Sequence, residues 1–186
     1  MPRWEPDARE RLVTAALQLF SEQGYDGTTV AEIAQRAGLT KSTFHRHFPD
    51  KRDVLAAGQE TLSRLLAEGI AAAPGDASPL EAVAEGLREA SEAFQPERAT
   101  LVAAVVATSA ELQERAALKQ VGMAAAMAGA LVARGVAEPV ARLAAEIGAL
   151  ALKQGFAAWV TGDTTLELGD LMCAELDRLR TTATQL

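Results

Sequence analysis

The sequence predicts an all-α protein, and three observations lead to that class. Ala, Leu, Glu and Arg recur throughout the 186 residues, and these side chains lose little conformational freedom in a helix. Apolar residues recur at helical spacing, and no stretch shows the alternation typical of a strand. Aromatic residues, which favour sheets, make up only 4% of the chain. We expect a single compact body of about nine helices.

The first two helices are bounded by a glycine and by a capping pattern. Apolar residues recur from about residue 7 to residue 23, and Gly24 ends that helix. Thr29 and Glu32 form the pattern of a capping box, in which the two side chains satisfy free N–H groups at a helix start. The second helix is therefore predicted from this point through Arg36.

A third short helix completes a helix-turn-helix pattern. Gly38 supplies the backbone freedom for a tight turn, and Thr40 is a suitable N-cap for a helix over Lys41 to Phe48. In helix-turn-helix units, the second helix of the pair lies in the major groove of DNA. Lys41 to Phe48 is therefore the candidate recognition helix.

One long helix and a linker lead into the rest of the chain. Asp50 is expected to cap a helix that continues to about Ala72, and residues 74–79, PGDASP, form the clearest linker. The sequence predicts two domains, residues 1–50 and residues 51–186. The remaining helices are predicted at about 79–94, 97–109, 111–134, 138–161 and 165–183.

Charge is distributed unevenly along the chain. The net charge of −7 would argue against nucleic-acid binding if it were uniform. Residues 1–55 contain 8 basic and 8 acidic residues, whereas residues 56–186 contain 10 basic and 17 acidic residues. The acidic excess therefore lies in the later segment, and the N-terminal part is free of it.

Helical geometry assigns faces to the candidate recognition helix. At about 100° per residue, Phe44 and Phe48 form one apolar stripe that we expect to be buried. Arg46 points in the opposite direction, with Ser42 and Thr43 on either side of it. We predict that these three polar residues contact DNA bases.

The two histidines, His45 and His47, flank Arg46 and do not converge. Metal ligands on one helical face are separated by three or four residues, so a spacing of two argues against a metal site within this helix. Cys173 is the only cysteine, and the sequence contains no HExxH or CxxC pattern. We expect no metal, no cofactor and no catalytic residue, and we do not expect an enzyme.

The N-terminal region resembles a known family over about residues 9–55. The similarity lies in TTVAEIAQRAGLTKSTFHRHFPDKRDVL, preceded by AALQLFSEQGYDG, and the family is the tetracycline-repressor (TetR) family of bacterial regulators. The matching residues are Phe20, Gly24, Tyr25, Thr28, Thr29, Val30, Ile33, Ala34, Ala37, Gly38, Lys41, Thr43, Phe44, Phe48 and Lys51. The resemblance implies an N-terminal three-helix helix-turn-helix DNA-binding domain, followed by a helical domain for ligand binding and dimerisation.

Position 45 departs from the pattern of that family. Tyrosine is usual there and contacts a phosphate, whereas this chain has His45. A protonated imidazole would add positive charge at this contact, so we predict that operator affinity increases below about pH 6.5.

The residues predicted to contact phosphates are Thr28, Thr29, Thr40, Lys41, His45, His47 and Lys51.

The helices at 138–161 and 165–183 match the pair through which the family dimerises. The first carries a track of small or apolar residues, where we expect close approach of a second helix. The residues of this track are Ala141, Ala145, Gly148, Leu152 and Gly155. Charged side chains near helix ends, among them Glu111, Glu114 and Arg115, are expected to lie in solvent.

A ligand pocket is predicted from the few large side chains of the acidic segment. Its candidate residues are Phe94, Met123, Met127, Phe156 and Trp159. The alternative is that these side chains are ordinary core, because an apolar stripe at helical spacing is first of all packing.

The resemblance implies a homodimeric regulator that binds a double-stranded DNA operator and an unknown small-molecule effector. The single cysteine suits a reducing cytoplasm, and the longest uncharged apolar run, Val121 to Ala133, is shorter than the ~20 residues of a membrane span. We therefore expect a cytoplasmic protein without membrane attachment. We expect a repressor that the effector releases from a palindromic operator, with the helix from Asp50 to Ala72 as the lever. The alternative is a ligand-independent DNA-binding regulator whose C-terminal helices only dimerise. A C-terminal core without a cavity of ligand size would favour that alternative.

Overall fold

The computed structural model describes residues 7–162 and 166–185 of the chain. Within these ranges the structure consists of α-helices, one 3-10 segment and connecting turns, which confirms the all-α class. The helices are α1 (Ala8–Gln23), α2 (Val30–Arg36), α3 (Lys41–His47), α4 (Gln59–Ala72), α5 (Pro79–Ser91), α6 (Pro96–Ala107), α7 (Ala110–Ala133), α8 (Glu138–Thr161) and α9 (Leu168–Ala183). Most predicted boundaries agree within a few residues. The start predicted for the last helix, residue 165, lies outside the described residues.

The predicted continuous helix from Asp50 to Ala72 is wrong. Residues Lys51–Ala56 form a 3-10 segment, which Asp50 caps through a reciprocal capping box with Asp53. Gly58 then adopts a left-handed conformation with a φ of 81°, and α4 begins only at the following residue. A left-handed residue cannot continue a right-handed helix, so the helical run is interrupted at Gly58 and α4 begins after it.

The first of two compact units comprises the chain up to Ala57 together with Thr100–Ala117. Its core contains residues of α1, α2 and α3, and also Val54 and Leu55 of the 3-10 segment. Val105 and Leu112, from much later in the sequence, are buried in the same core. This compact unit therefore differs from the predicted domain of residues 1–50, because the later apolar residues pack with the N-terminal helices.

The second unit comprises Gly58–Ala99 and Leu118–Leu186, and glycines set its closest helix contacts. A Cβ atom on Gly69 of α4 would lie 2.7 Å from the Cα atom of Gly86 on α5. A Cβ atom on Gly155 of α8 would lie 2.8 Å from the backbone of Met172 on α9. These helices approach so closely only because the glycines lack side chains.

Helix α8 has two different apolar faces. The predicted small-residue track is buried within the chain, and Gly148 lies against the side chains of Val83 and Met127. Val140, Leu143 and Leu150 are instead 49%, 64% and 41% exposed. The close approach of second helices along the small-residue track is therefore made by helices of the same chain.

By length and composition, α7 is the one helix in the described ranges that could cross a membrane. This is a weak indication, because helices of globular proteins can pass the same test. The charged residues of α7 precede Val121, and the uncharged remainder of the helix is shorter than the ~20 residues of a membrane span.

Candidate nucleic-acid interface

A side chain of α1 holds the turn between α2 and α3. Gly38 adopts a φ of 66°, which favours glycine. The guanidinium of Arg11 donates a hydrogen bond to the carbonyl oxygen of Ala37, and a Cβ atom on Gly38 would lie 2.8 Å from the same guanidinium. Arg11 therefore links α1 to the turn that positions α3, and no local sequence pattern indicates this contact.

The face of α3 that the sequence predicts to be buried is buried in the structure. Phe44 and Phe48 are 0% and 2% exposed, and their ring centroids are 5.6 Å apart. The guanidinium of Arg9 lies 5.2 Å from the centroid of the Phe48 ring. These aromatic contacts anchor α3 on the core of the first unit and leave its opposite face in solvent.

The exposed face of α3 carries the residues predicted to read bases. Ser42 and Arg46 are exposed, and neither side chain forms a hydrogen bond or an ion pair with the residues that the structure describes. Thr43 is partly buried, and its hydroxyl lies 3.0 Å from that of Thr40. The Thr40 hydroxyl also caps α3 by accepting a hydrogen bond from the Thr43 backbone N–H, at 3.1 Å. Arg46 and Ser42 are thus available to an external partner.

The two histidines have different surroundings. His45 is exposed, and its ring contacts the edge of the Phe44 ring at a centroid distance of 5.7 Å. His47 is partly buried, and its Nε2 atom is buried without a hydrogen-bond partner in the described part of the chain. Among the described residues, no three His, Cys, Asp or Glu side chains form a group that could hold a metal ion.

Two residues predicted to contact phosphates are engaged inside the first unit. Thr28 is 1% exposed, and its hydroxyl donates to the carbonyl oxygen of Gly24 at 2.7 Å. The ammonium of Lys51 donates to the carbonyl oxygens of Tyr25 and Thr28 at 2.7 and 2.9 Å. The same ammonium lies 4.1 Å from the centroid of the Tyr25 ring. These contacts give Thr28 and Lys51 structural roles in the segment before α2.

The remaining predicted phosphate contacts lie at helix starts. The Thr29 backbone N–H donates to the carboxylate of Glu32 at 2.8 Å, and the Glu32 backbone N–H donates to the Thr29 hydroxyl at 3.3 Å, which together form the predicted capping box. Lys41 is exposed at the start of α3 and has no side-chain hydrogen bond or ion pair within the described ranges. Thr29, Thr40 and Lys41 are therefore exposed at the N-terminal ends of α2 and α3, where backbone N–H groups favour anions.

The charged residues at the start of α7 form contacts within the first unit. Glu111 and Glu114 are exposed, as expected, whereas Arg115 is partly buried. Burial raises the pKa of Tyr25, and a hydrogen bond to Glu111 raises this pKa further. Glu111 also forms an ion pair with Arg52 at 3.4 Å, and Arg115 forms one with Asp53. These contacts connect the 3-10 segment to the first turns of α7 within the first unit.

The five predicted pocket residues lie in the second unit as packed side chains. Met123 and Met127 are 2% and 0% exposed, and the Met127 sulfur lies 3.2 Å from the position of a Cβ atom on Gly148. Phe94, Phe156 and Trp159 are partly buried against the same core. Two surface depressions, of about 420 and about 590 Å³, are lined by other residues.

Comparisons with known proteins place the strongest similarity in the same N-terminal region. Residues 12–57 match the family described as bacterial regulatory proteins, tetR family. The regulator TcmR of Streptomyces glaucescens is 32% identical over 80 residues, which cover 43% of this chain and 35% of TcmR. The regulator BetI of Rhizobium meliloti is 36% identical over 112 residues, which cover 59% of this chain and 54% of BetI. The matched segments thus span about a third to a half of these relatives.

Similar folds extend over almost the whole chain. A TetR-family regulator from Syntrophomonas wolfei has a TM-score of 0.65 and 22% identity, with 95% of both chains covered. The regulator FadR of Bacillus subtilis, solved in complex with stearoyl-CoA, has a TM-score of 0.60 and 20% identity, with 91% of this chain and 96% of FadR covered. SmeT in complex with triclosan has a TM-score of 0.61 and 20% identity, with 94% of this chain and 90% of SmeT covered.

Proposed function

We propose that the chain is a dimeric repressor of a palindromic operator, on the premise that residues 12–57 match the bacterial regulatory proteins of the tetR family. The observation that carries this proposal is the exposed face of α3. Ser42 and Arg46 stand there without partners in the described chain, opposite the buried stripe of Phe44 and Phe48. An α-helix with one buried apolar face and one exposed polar face can lie in the major groove and present its polar side chains to the bases.

The contacts divide into those that read bases and those that bind phosphates. Arg46 is the principal base-reading residue, because a guanidinium can donate two hydrogen bonds to one guanine. Ser42 and Thr43 contact neighbouring bases. The residues assigned to phosphates are Thr29, Thr40, Lys41, His45 and His47. Lys51 and Thr28 act indirectly, by holding the segment that leads into α2.

The proposed dimer surface is the exposed apolar face of α8, together with the adjacent side of α9. Val140, Leu143, Ile147 and Leu150 are separated alternately by three and four residues, which is the spacing of helices that pack on a partner helix. The guanidinium of Arg178 on α9 donates to the side-chain oxygen of Gln154 at 2.6 Å, so α9 borders this stripe. Burial of such a face against a second copy removes exposed apolar side chains from water.

A two-fold dimer explains why the operator would be palindromic. Two recognition helices related by a two-fold axis read two half-sites that are about one turn of DNA, roughly 34–36 Å, apart. An effector that binds the second unit and favours another arrangement of the two helices would lower operator affinity. The folds of FadR and SmeT, solved with stearoyl-CoA and triclosan, support the general idea of a ligand-responsive second unit.

Helix α7 is the proposed route of coupling, in place of the lever predicted over Asp50 to Ala72, which is interrupted at Gly58. It is continuous from Ala110 to Ala133, and its residues up to Ala117 belong to the first unit while the rest belong to the second. Its first turns are bound to the 3-10 segment through Glu111 and Arg115. A ligand-dependent change along α7 would thereby reach the DNA-binding helices.

The packing of Met127 against Gly148 favours a second candidate, a ligand-independent regulator whose second unit only dimerises. A screen of small molecules for release of the operator complex distinguishes the two. Release by a compound that binds the free protein supports the ligand-responsive repressor. A saturated screen without any binder supports the alternative.

Selection of bound sequences from random DNA with the purified full chain tests the DNA-binding function. We expect an inverted repeat with half-site centres about 10 base pairs apart, and a dimer on the DNA. The Arg46→Ala variant, selected in parallel, should lose preference at one position of each half-site. Absence of any enriched sequence with the wild-type chain would contradict the proposal.

The proposed site of action is the cytoplasm, because the operator DNA lies there in bacteria.

A further inference from the structure

The recognition helix α3 is held from α1 at both of its ends. At the end of α3, the guanidinium of Arg9 lies 5.2 Å from the centroid of the Phe48 ring. Ahead of its start, the guanidinium of Arg11 donates a hydrogen bond to the carbonyl oxygen of Ala37. A cation–π contact tolerates a range of positions over the ring, whereas a hydrogen bond is directional. The Arg11 bond therefore restrains the start of α3 more closely than the Arg9 contact restrains its end.

Arg11 places its positive charge at the C-terminal end of α2. The backbone N–H of Leu39 closes the turn on the carbonyl oxygen of Ala34 at 2.8 Å, and the carbonyl oxygen of Ala37 accepts from Arg11. The guanidinium forms no ion pair with a carboxylate of the described residues. Its charge therefore acts on the carbonyl groups at the end of α2, where a cation is favourable.

A short segment transmits the position of this carbonyl group to α3. Ala37 caps α2, and only three residues separate it from Lys41, the first residue of α3. The base-reading candidate Arg46 is exposed on that helix and has no partner in the described chain. A hydrogen bond to a base edge needs a donor–acceptor distance of about 2.7–3.2 Å, so a displacement of α3 by about 1 Å breaks a bidentate contact.

The contact between Arg11 and Ala37 borders open space. Both residues, together with Gly38, line a surface depression of about 590 Å³ in the first unit. Water can therefore hydrogen-bond to the Ala37 carbonyl oxygen when the guanidinium is removed, so that this group keeps a partner. Loss of Arg11 should change the position of the turn more than the stability of the fold.

We propose that Arg11 is a positioning residue for DNA sequence recognition, which holds the turn before α3 so that Arg46 meets the base edges. Arg11 itself contacts neither base nor phosphate in this assignment. The inference deepens the DNA-binding function proposed above and rests on it.

Binding of the full-length protein to the operator selected from random DNA, and to a scrambled duplex of equal length, tests this role. We expect Arg11→Met to lower the ratio of the two affinities about tenfold, which is within the discrimination of one bidentate base contact. The salt slope on the scrambled duplex should stay that of the wild type, because no phosphate contact is lost. Arg11→Lys, which keeps a charged donor, should recover most of the ratio.

Arg36→Met is the matched control. Arg36 on α2 also binds α1, through an ion pair with Glu22 at 2.8 Å, but this pair does not include the turn. The ratio of affinities for Arg36→Met should therefore equal that of the wild type. A reduction in this variant as large as that in Arg11→Met would assign the effect to the general attachment of α2 and overturn the specific role of Arg11.

A double-mutant cycle with Arg46→Ala identifies the residue through which Arg11 acts. Arg11→Met should lower the ratio less in the Arg46→Ala background than in the wild type, because the contact that it supports is already absent. An equal reduction in both backgrounds, or a salt slope lowered by about 1, overturns the positioning role. Arg11→Gln, whose side chain is polar but shorter, repeats the measurements if the methionine variant folds poorly.

The same measurements separate this inference from the function on which it rests. A wild-type chain without any preferred DNA sequence contradicts the DNA-binding function and the positioning role together. A wild-type preference that Arg11→Met retains in full contradicts the positioning role alone.

Discussion

The ammonium of Lys51 lies 4.1 Å from the centroid of the Tyr25 ring and donates hydrogen bonds to two backbone carbonyl groups. Lysine at a helix start near DNA would ordinarily be assigned to a phosphate. Here the Lys51 ammonium binds the segment between α1 and α2. Loss of this charge therefore affects the stability of the fold as well as DNA binding.

Lys51→Met should lower the free energy of unfolding by about 1–3 kcal/mol, because two hydrogen bonds to a charged donor and a cation–π contact are lost. Urea denaturation measures this change. Lys41→Met is the matched control, since the Lys41 side chain has no partner in the described chain. It should leave stability within about 0.5 kcal/mol of wild type and reduce the salt slope of DNA binding by about 1. Equal stability of the two variants would assign Lys51 to phosphate binding alone.

Arg46→Ala should weaken operator binding by about 1–3 kcal/mol and relax the preference at one base pair of each half-site. The reason is that Arg46 is exposed on α3 and its guanidinium has no partner in the described chain, so its hydrogen bonds are available to a base. Affinity for the operator and for single-base variants of it measures the effect. A uniform loss across all DNA sequences would place Arg46 on a phosphate instead.

Leu143→Glu should convert the dimer to a monomer at micromolar concentration, because it places a charge in the proposed interface, where Leu143 is 64% exposed in the single chain. Sedimentation or light scattering measures the mass in solution. Leu118→Glu is the control, because Leu118 is similarly exposed, at 53%, but lies on α7. If Leu118→Glu dissociates the dimer and Leu143→Glu does not, the interface lies on α7.

Gly86→Ala should destabilise the protein by about 1–3 kcal/mol, since its Cβ atom would lie 2.6 Å from the carbonyl oxygen of Leu66 and force α4 and α5 apart. Gly129→Ala, in α7, meets nothing within 4 Å and should stabilise it by about 0.5–1 kcal/mol through helix propensity. Thermal and urea denaturation of both variants measure whether the two changes in stability have opposite signs. A stabilising Gly86→Ala substitution would mean that the two helices separate without cost.

Lys119→Met, in α7, should stabilise the protein at neutral pH, because the cation that burial disfavours is removed. The pKa of Lys119 is lowered in the folded state, so the unfolded chain binds more protons between the folded and the unfolded pKa values. Wild-type stability therefore increases with pH through that range, up to about pH 10.5. The advantage of the variant should shrink over the same range in urea denaturation. An advantage that stays constant with pH would indicate lost packing and not lost charge.

Local signals in the sequence predicted most of the helices. The capping boxes and turn glycines gave the starts and ends of α2 and α3, and helical spacing gave the buried stripe of Phe44 and Phe48. Gly58 was itself visible as a glycine inside a predicted helix. Its left-handed conformation depends on the packing of the segments on either side, which a propensity alone does not determine.

Contacts between distant positions could not be read from local pattern. The bonds from Arg11 to Ala37 and from Lys51 to Tyr25 each join residues 26 positions apart. The ion pairs of Glu111 and Arg115 with the 3-10 segment also join residues that are far apart in the sequence. For the recognition face, helical angle was sufficient to indicate which side chains of α3 point outward. The sequence did not indicate which of the flanking polar residues are already occupied by the protein.

The burial of Val105 and Leu112 in the core of the N-terminal helices has a consequence for how such a gene can be rearranged. A single crossover near codon 57 would join the DNA-reading helices of one protein to a foreign α6 and α7. Their core would then depend on apolar residues inherited from the other parent. Exchange of the complete first unit alone therefore requires three crossovers, near codons 57, 99 and 117, and a single crossover near codon 57 requires a donor whose residues at positions 105 and 112 are equally apolar and of similar volume.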